Sequence, residues 1–232
     1  MKILTKLLFV ALATITIGAM ASFDQERQVR NFKGVMISGS LNAIVKIGPE
    51  EKVRLEGDDE AIAQLITEVK DGILIIRPKT KWREWNKKFN NTKVTAYVTA
   101  KSLTSVTLSG SGSIDVQNQV TATELATTLS GSGNIKVPAN VKSLTAVISG
   151  SGNIESSGKA VDANITINGS GNFKGAGFAV DMASTQISGS GSIYIRANKK
   201  IDAVSSGSGT VYYTGNPTIE KTVVGSGGVQ RN

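Results

Sequence analysis

The sequence predicts an all-β chain wound as a parallel β-helix, or β-solenoid, with about 18–21 residues per repeat and one short helix in its N-terminal half. Three observations carry that expectation. First, a Gly-Ser-Gly triplet recurs with its leading glycine at Gly110, Gly131, Gly150, Gly169, Gly189, Gly207 and Gly225, at intervals of 21, 19, 19, 20, 18 and 18 residues. A fixed short period marks a coil that buries its apolar face only against its neighbours. Second, apolar residues flank every triplet at even offsets, as a strand with one buried face requires and a flexible linker does not. Third, aromatics are sparse at 5% and cysteine is absent, so small aliphatic side chains must fill the interior without disulfides.

Residues 1–21 read as a secretory leader, with Lys2 and Lys6 ahead of an apolar run and Ala19-Met20-Ala21 as the cleavage pattern. The run is too short for a membrane span. One domain, 22–232, is expected after it, divided into divergent coils over 22–100 and regular repeats over 101–232. Loss of Lys2 and Lys6 lowers the formal charge of +8 by two and leaves a modestly basic protein.

The first expected coil is "FKGVMISGSLNAIVKIG", where Phe32, Val35 and Ile37 lead into Ser38-Gly39-Ser40 and Ala43, Val45 and Ile47 follow in alternation. Its second glycine is lost, as terminal repeats often depart from the consensus. In "DDEAIAQLITEV", residues 58–69, Ile62, Leu65, Ile66 and Val69 recur at helical spacing behind acidic residues. This predicts the short helix, placed to cover the open end or a side of the solenoid. Asp71-Gly72 then turns the chain into a strand from Ile73 to Ile76.

In the repeats, the position two before each marker holds Leu108, Leu129, Ile148, Ile167, Ile187, Ser205 and Val223. The position four after it holds Ile114, Ile135, Ile154, Phe173, Ile193, Val211 and Val229. All are expected to point inward, Ser205 being the one polar exception. Leu125, Leu144, Ile201 and Ile219 share that parity, with Ala163 and Ala183 as smaller versions. With coils about 4.8 Å apart, like residues stack on like. Ser111, Ser132, Ser151, Ser170, Ser190 and Ser208 then form one polar column, and Asn134, Asn153 and Asn172 a second. A third, Asp115, Lys136, Glu155, Lys174, Tyr194 and Tyr212, alternates in sign before turning aromatic, which predicts neighbouring ion pairs and no carboxylate cluster.

The segment "PKTKWREWNKKFNNTK", residues 78–93, breaks character. It holds both tryptophans, Phe89 and six cations against the single acid Glu84. Aromatic faces beside cations can stack on sugar rings while the charges hold phosphates or carboxylates. Lys81, Trp82, Arg83, Trp85, Lys87, Lys88 and Phe89 are therefore the candidate binding residues. The structural alternative is a long hairpin loop between Ile76 and Val94 that tucks Trp82 and Phe89 onto the solenoid and leaves the lysines solvated.

Little else in the chain suggests chemistry. Without histidine or cysteine the commonest general base, the usual zinc ligand and the thiol nucleophile are missing, and no nearby histidine can activate the corner serines. No catalytic residue, metal site or cofactor is expected. "GSGSID" approaches a calcium-binding nonapeptide, but only that copy carries the aspartate.

The opening segment at 32–48, "VRLEGDDEAIAQLITEVKDGILIIR" at 53–77 and "LTSVTLSGSGSIDV" at 103–116, in that order, resemble the head GIN domain family of putative autotransporter adhesins. The resemblance spans nearly all of the chain after its leader. It implies a right-handed β-solenoid exported by bacteria and brings no catalytic residues. The expected function is a non-enzymatic binding or surface-interaction module in the periplasm, secreted or at the cell surface, with an anionic glycan, lipopolysaccharide or an envelope protein as partner. The competing expectations are a polysaccharide-processing enzyme and a purely architectural envelope protein.

Overall fold

In the computed structural model the chain is described over residues 23–89 and 92–232; the leader predicted at 1–21 lies outside them. The N-terminal part comprises β1 (Phe23–Arg27), β2 (Gly34–Gly39), β3 (Asn42–Ile47), β4 (Lys52–Gly57), α1 (Asp59–Ala63), β5 (Leu65–Lys70), β6 (Ile73–Pro78), α2 (Trp82–Phe89) and β7 (Val94–Ala100). The regular part comprises β8 (Ser105–Gly110), β9 (Ser113–Val116), β10 (Val120–Gly131), β11 (Asn134–Gly150), β12 (Asn153–Gly169), β13 (Asn172–Gly189), β14 (Ser192–Gly207), β15 (Thr210–Thr214), β16 (Thr218–Val224) and β17 (Gly228–Arg231). All of the strands join one hydrogen-bonded network.

From β8 onward each coil pairs in parallel with the next, and the glycine corners lie in register: Gly110 on Gly131, Gly131 on Gly150, Gly150 on Gly169, Gly169 on Gly189 and Gly189 on Gly207. The inward positions are as expected. Leu108, Leu129, Ile148, Ile167, Ile187, Ile114, Ile135, Ile154, Phe173, Ile193 and Val211 are all buried in one core. Ser205 is buried too, and its hydroxyl donates to the Gly209 carbonyl at 2.9 Å, so the polar exception is satisfied. Toward the C-terminal end Ile219, Val223 and Val229 are only half-buried, because among the described residues β16 and β17 pair with a coil on one side only.

The corner needs glycine for two reasons, both visible at Gly150. Its φ is +125°, a region that L side chains rarely adopt, and an added Cβ would stand 2.4 Å from the Gly131 carbonyl oxygen of the coil beneath. Ser151 and Gly152 donate their N–H groups to that same carbonyl at 3.0 and 3.1 Å, so the close approach is also what bonds one corner to the next.

The N-terminal coils are not stacked in chain order. Gly39 pairs with Gly110, 71 residues later, and β2 lies between β8 on one side and β6 on the other. Likewise β3 lies between β9 and β7. The chain therefore lays down the second coil first, builds the terminal coil beneath it from β6 and β7, and then returns above. That terminal coil is covered by antiparallel strands, β5 on β6 and β4 on β7, with β1 on β4. These additions shield the parallel edge that an uncapped solenoid would expose.

Two local expectations are corrected. The helix read over 58–69 ends at Ala63. Asp58 caps it, accepting from the Ala61 N–H at 2.9 Å, but Leu65–Lys70 continues as β5. The turn decides this: Asp71 and Gly72 both have positive φ, 51° and 72°, the geometry of a tight hairpin, which swings Ile66, Thr67 and Val69 onto β6. The segment expected as a long loop between Ile76 and Val94 contains instead the second helix, α2.

Glu51 fastens the return of the chain at the base of the solenoid. Its carboxylate accepts the Asn31 N–H at 2.9 Å and the Phe32 N–H at 3.1 Å. The Asn31 bond, helped by that to Phe32 and by the charge of Lys101, holds the carboxyl below its ordinary pKa against the opposing effect of burial. A lowered folded-state pKa contributes stability that is present above the unfolded-state value and lost as pH falls through the folded-state value. Glu51→Gln is expected to cost about 1 kcal/mol at neutral pH, with the gap to wild type closing in acid. Urea midpoints measured across the carboxylate range check this, and a gap that stays constant with pH refutes it.

Candidate ligand-binding surface

The α2 segment carries an i, i+4 aromatic pair, Trp85 and Phe89, in a helix whose other residues, Trp82 apart, are polar. Trp85 is 2% and Phe89 6% exposed, and their rings lie 4.7 Å apart at 44°. A helix of 8 residues is marginal in isolation, so this buried pair is what holds it in place. Glu84 in the first turn and Lys87 and Lys88 in the last complement the helix dipole.

The cations divide by what they touch. Lys88 pairs with Glu60 of α1, and the Lys79 ammonium donates to the Ala63 carbonyl at 2.7 Å, so these two tie the α1 and α2 segments together. Lys81, Arg83 and Lys87 are exposed, and among the described residues no carboxylate lies within ion-pairing distance of them. The seven sequence-predicted residues thus separate. Trp85 and Phe89 are core residues with no face to offer a ligand, Lys88 is engaged by Glu60, and Lys81, Arg83 and Lys87 face solvent. Trp82 begins the helix; its side chain lies outside the described ones.

Sequence reading missed a cavity at the segment that leads into this helix. A recess of about 440 Å³ lies where Arg77, Pro78 and Thr80 lead toward α2, and Ser38, Ser109 and Ser130 of three successive coils line its other side. Arg77 is held by Glu68 at 3.3 Å while both remain substantially exposed. Lys81 follows Thr80 directly. The signal that could have found the recess is the serine preceding the corner glycines Gly39, Gly110 and Gly131, which register stacks into a hydroxyl column.

The polar columns behave differently from one another. Asn153 donates to Asn134 and Asn172 to Asn153, each at 3.0 Å, so the asparagines form the expected structural ladder. The corner serines are exposed. The mixed column keeps its register, with Asp115 beside Lys136, Lys136 beside Glu155 and Glu155 beside Lys174. None of these neighbours is an ion pair, which corrects the expectation: solvated side chains on an exposed sheet gain little by closing the contact. Tyr194 and Tyr212 do stack, at 4.9 Å and 12°.

The family model described as "Putative auto-transporter adhesin, head GIN domain" matches residues 31–217. The chain belongs to this family. Head GIN architecture is shared with solved structures of low sequence identity. A putative adhesin from Bacteroides fragilis is 23% identical with a TM-score of 0.80, covering 92% of this chain and 98% of that one. A putative lipid binding protein from Parabacteroides distasonis is 24% identical at 0.72, covering 91% and 96%, and a putative adhesin from Parabacteroides merdae 19% at 0.70, covering 93% and 98%. At such identities the likeness shows the fold alone. No curated protein sequence matches this head GIN chain. Among the described residues no helix is long and apolar enough to cross a membrane.

Proposed function

We propose that this head GIN protein is an exported, non-enzymatic binding module of the cell envelope that holds an anionic glycan or lipopolysaccharide at α2 and the adjoining recess. The observation that carries the reading is the group of solvent-facing cations, Lys81, Arg83 and Lys87, which have no carboxylate partner among the described residues and lie near a recess lined by Arg77 and serine hydroxyls. Cations spaced on a packed helix offer a fixed pattern of charge to phosphates or carboxylates, while hydroxyls exchange hydrogen bonds with sugar hydroxyls. The adhesin family is consistent with surface contact, and the Parabacteroides distasonis relative is described as lipid binding, which suits a glycolipid headgroup.

The test compares wild type with the Lys81→Ala/Arg83→Ala/Lys87→Ala variant for binding to polygalacturonate, heparin and lipopolysaccharide. At least one polyanion is expected to bind wild type, with affinity falling at least about tenfold in the variant and the salt dependence weakening by roughly one unit of slope per lost contact. Equal affinity in both proteins refutes the site. New reducing ends released by wild type would favour the polysaccharide-processing enzyme.

A further inference from the structure

We infer a second subsite, on the outer face of the strands leaving the glycine corners, that takes a neutral pyranose ring of a glycan. It goes beyond the anionic site at α2 and uses none of its residues. The coil of β13 departs from its neighbours here. Its register against β12 shifts between Glu155 and Gly158, and its register against β14 shifts between Gly175 and Ala179. The extra residues swing outward and form a rim, Ala176-Gly177, over a depression of about 530 Å³ whose floor and sides include Glu155, Ser157, Lys174 and Tyr194.

Three features fit a sugar. The first is the ring of Tyr194. Register orders the column as Glu155, Lys174, Tyr194, Tyr212 along the axis, and Tyr212 stacks on Tyr194 from one side. Apart from Tyr194 itself, the lining residues come from the coils on the opposite side, so the depression lies on the side of Tyr194 away from Tyr212, and among the described residues no cation lies over the ring. A phenol ring braced by a stacked partner is a ready platform for the C–H face of a pyranose.

The second feature is a donor and an acceptor left available side by side. Glu155 and Lys174 are register neighbours and yet make no ion pair, so a carboxylate can accept from one ring hydroxyl while the ammonium and the Ser157 hydroxyl reach another. Their opposite charges cancel, which favours a neutral ring over the anionic polymers suited to α2. The third feature is vacant space at Gly177. An added Cβ there meets nothing nearer than the Ser157 Cβ at 3.7 Å and its φ is not left-handed, so this glycine is required neither by the turn nor by packing. What it leaves open is the depression itself.

The full chain would be titrated with soluble oligomers of glucose, mannose and N-acetylglucosamine, followed by calorimetry and by the amide resonances of 174–177. At least one oligomer is expected to bind and to shift those resonances. Tyr194→Ala should weaken it at least about tenfold and Tyr194→Phe by no more than about twofold. Gly177→Leu, which fills the space without disturbing the backbone, should abolish binding. The Lys81→Ala/Arg83→Ala/Lys87→Ala variant should bind neutral oligomers as wild type does, which separates the fate of this subsite from that of the anionic one. No shift at 174–177 with any oligomer, or wild-type affinity in Gly177→Leu, overturns the inference.

Discussion

Gly150→Ala is expected to destabilise the fold by about 3–5 kcal/mol or to prevent its accumulation, an effect of the size otherwise reserved for deleting a large core side chain. Two independent costs add. A φ of +125° lies outside what an alanine adopts without strain, at roughly 1–3 kcal/mol. The new methyl would also sit 2.4 Å from the Gly131 oxygen, a backbone atom that cannot rotate away. Relieving the contact means parting two coils, which breaks the bonds from Ser151 and Gly152 to that oxygen. Gly177→Ala is the matched control, since the same methyl there meets only ordinary contact. It should change stability by less than about 0.5 kcal/mol or raise it slightly, through a less flexible unfolded chain. Urea midpoints that rank the two substitutions equally would refute the corner's geometric role.

The same geometry explains why the regular half of the protein is legible from sequence. Each corner is fixed by contact with the identical corner beneath, so one local rule, glycine at the bend and aliphatics two before and four after, repeats without reference to distant parts of the chain. Ile148 and Ile154 are buried for the same reason as Ile167 and Phe173. The N-terminal half obeys no such rule. That β2 lies between β6 and β8 follows from a closure across 71 residues, which no periodicity of Val35 or Ile37 can encode.

Short apolar runs were ambiguous in a predictable way. Ile62, Leu65, Ile66 and Val69 satisfy a helical spacing, but β-branched residues next to an Asp-Gly turn satisfy a hairpin as well, and pairing with β6 chose between them. In the basic segment the chemistry was visible and its orientation was not. Composition marked the aromatics and cations together as one surface, whereas packing divides them, the rings of Trp85 and Phe89 inward and Lys81, Arg83 and Lys87 outward. The i, i+4 spacing of Trp85 and Phe89 was the signal that could have separated core from surface. For the neutral-sugar subsite the sequence carries two traces, the column that turns aromatic at Tyr194 and the interval from Gly169 to Gly189, one residue longer than the two before it.

Trp85→Ala is expected to cost about 3–5 kcal/mol and to release α2 from the terminal coil. The indole is 2% exposed, and its removal leaves Phe89 without its ring partner and opens a cavity the size of the largest fully buried side chain. Among the described side chains of the helix, Phe89 and Lys88 are what remain to hold it. Its eight residues are below the length at which propensity sustains a helix, and the Lys88–Glu60 pair is too exposed to replace a buried indole. Lys81, Arg83 and Lys87 would then keep their charges but lose their fixed spacing. Affinity for a polyanion should therefore fall in Trp85→Ala even though no cation has been removed, while Trp85→Phe, which keeps an apolar ring in the site, should retain most of both stability and binding. Urea denaturation with a parallel polyanion titration reads both effects. If Trp85→Ala is destabilised as expected yet binds like wild type, the charges act as a diffuse cloud, and the packed helix is not what organises the anionic site.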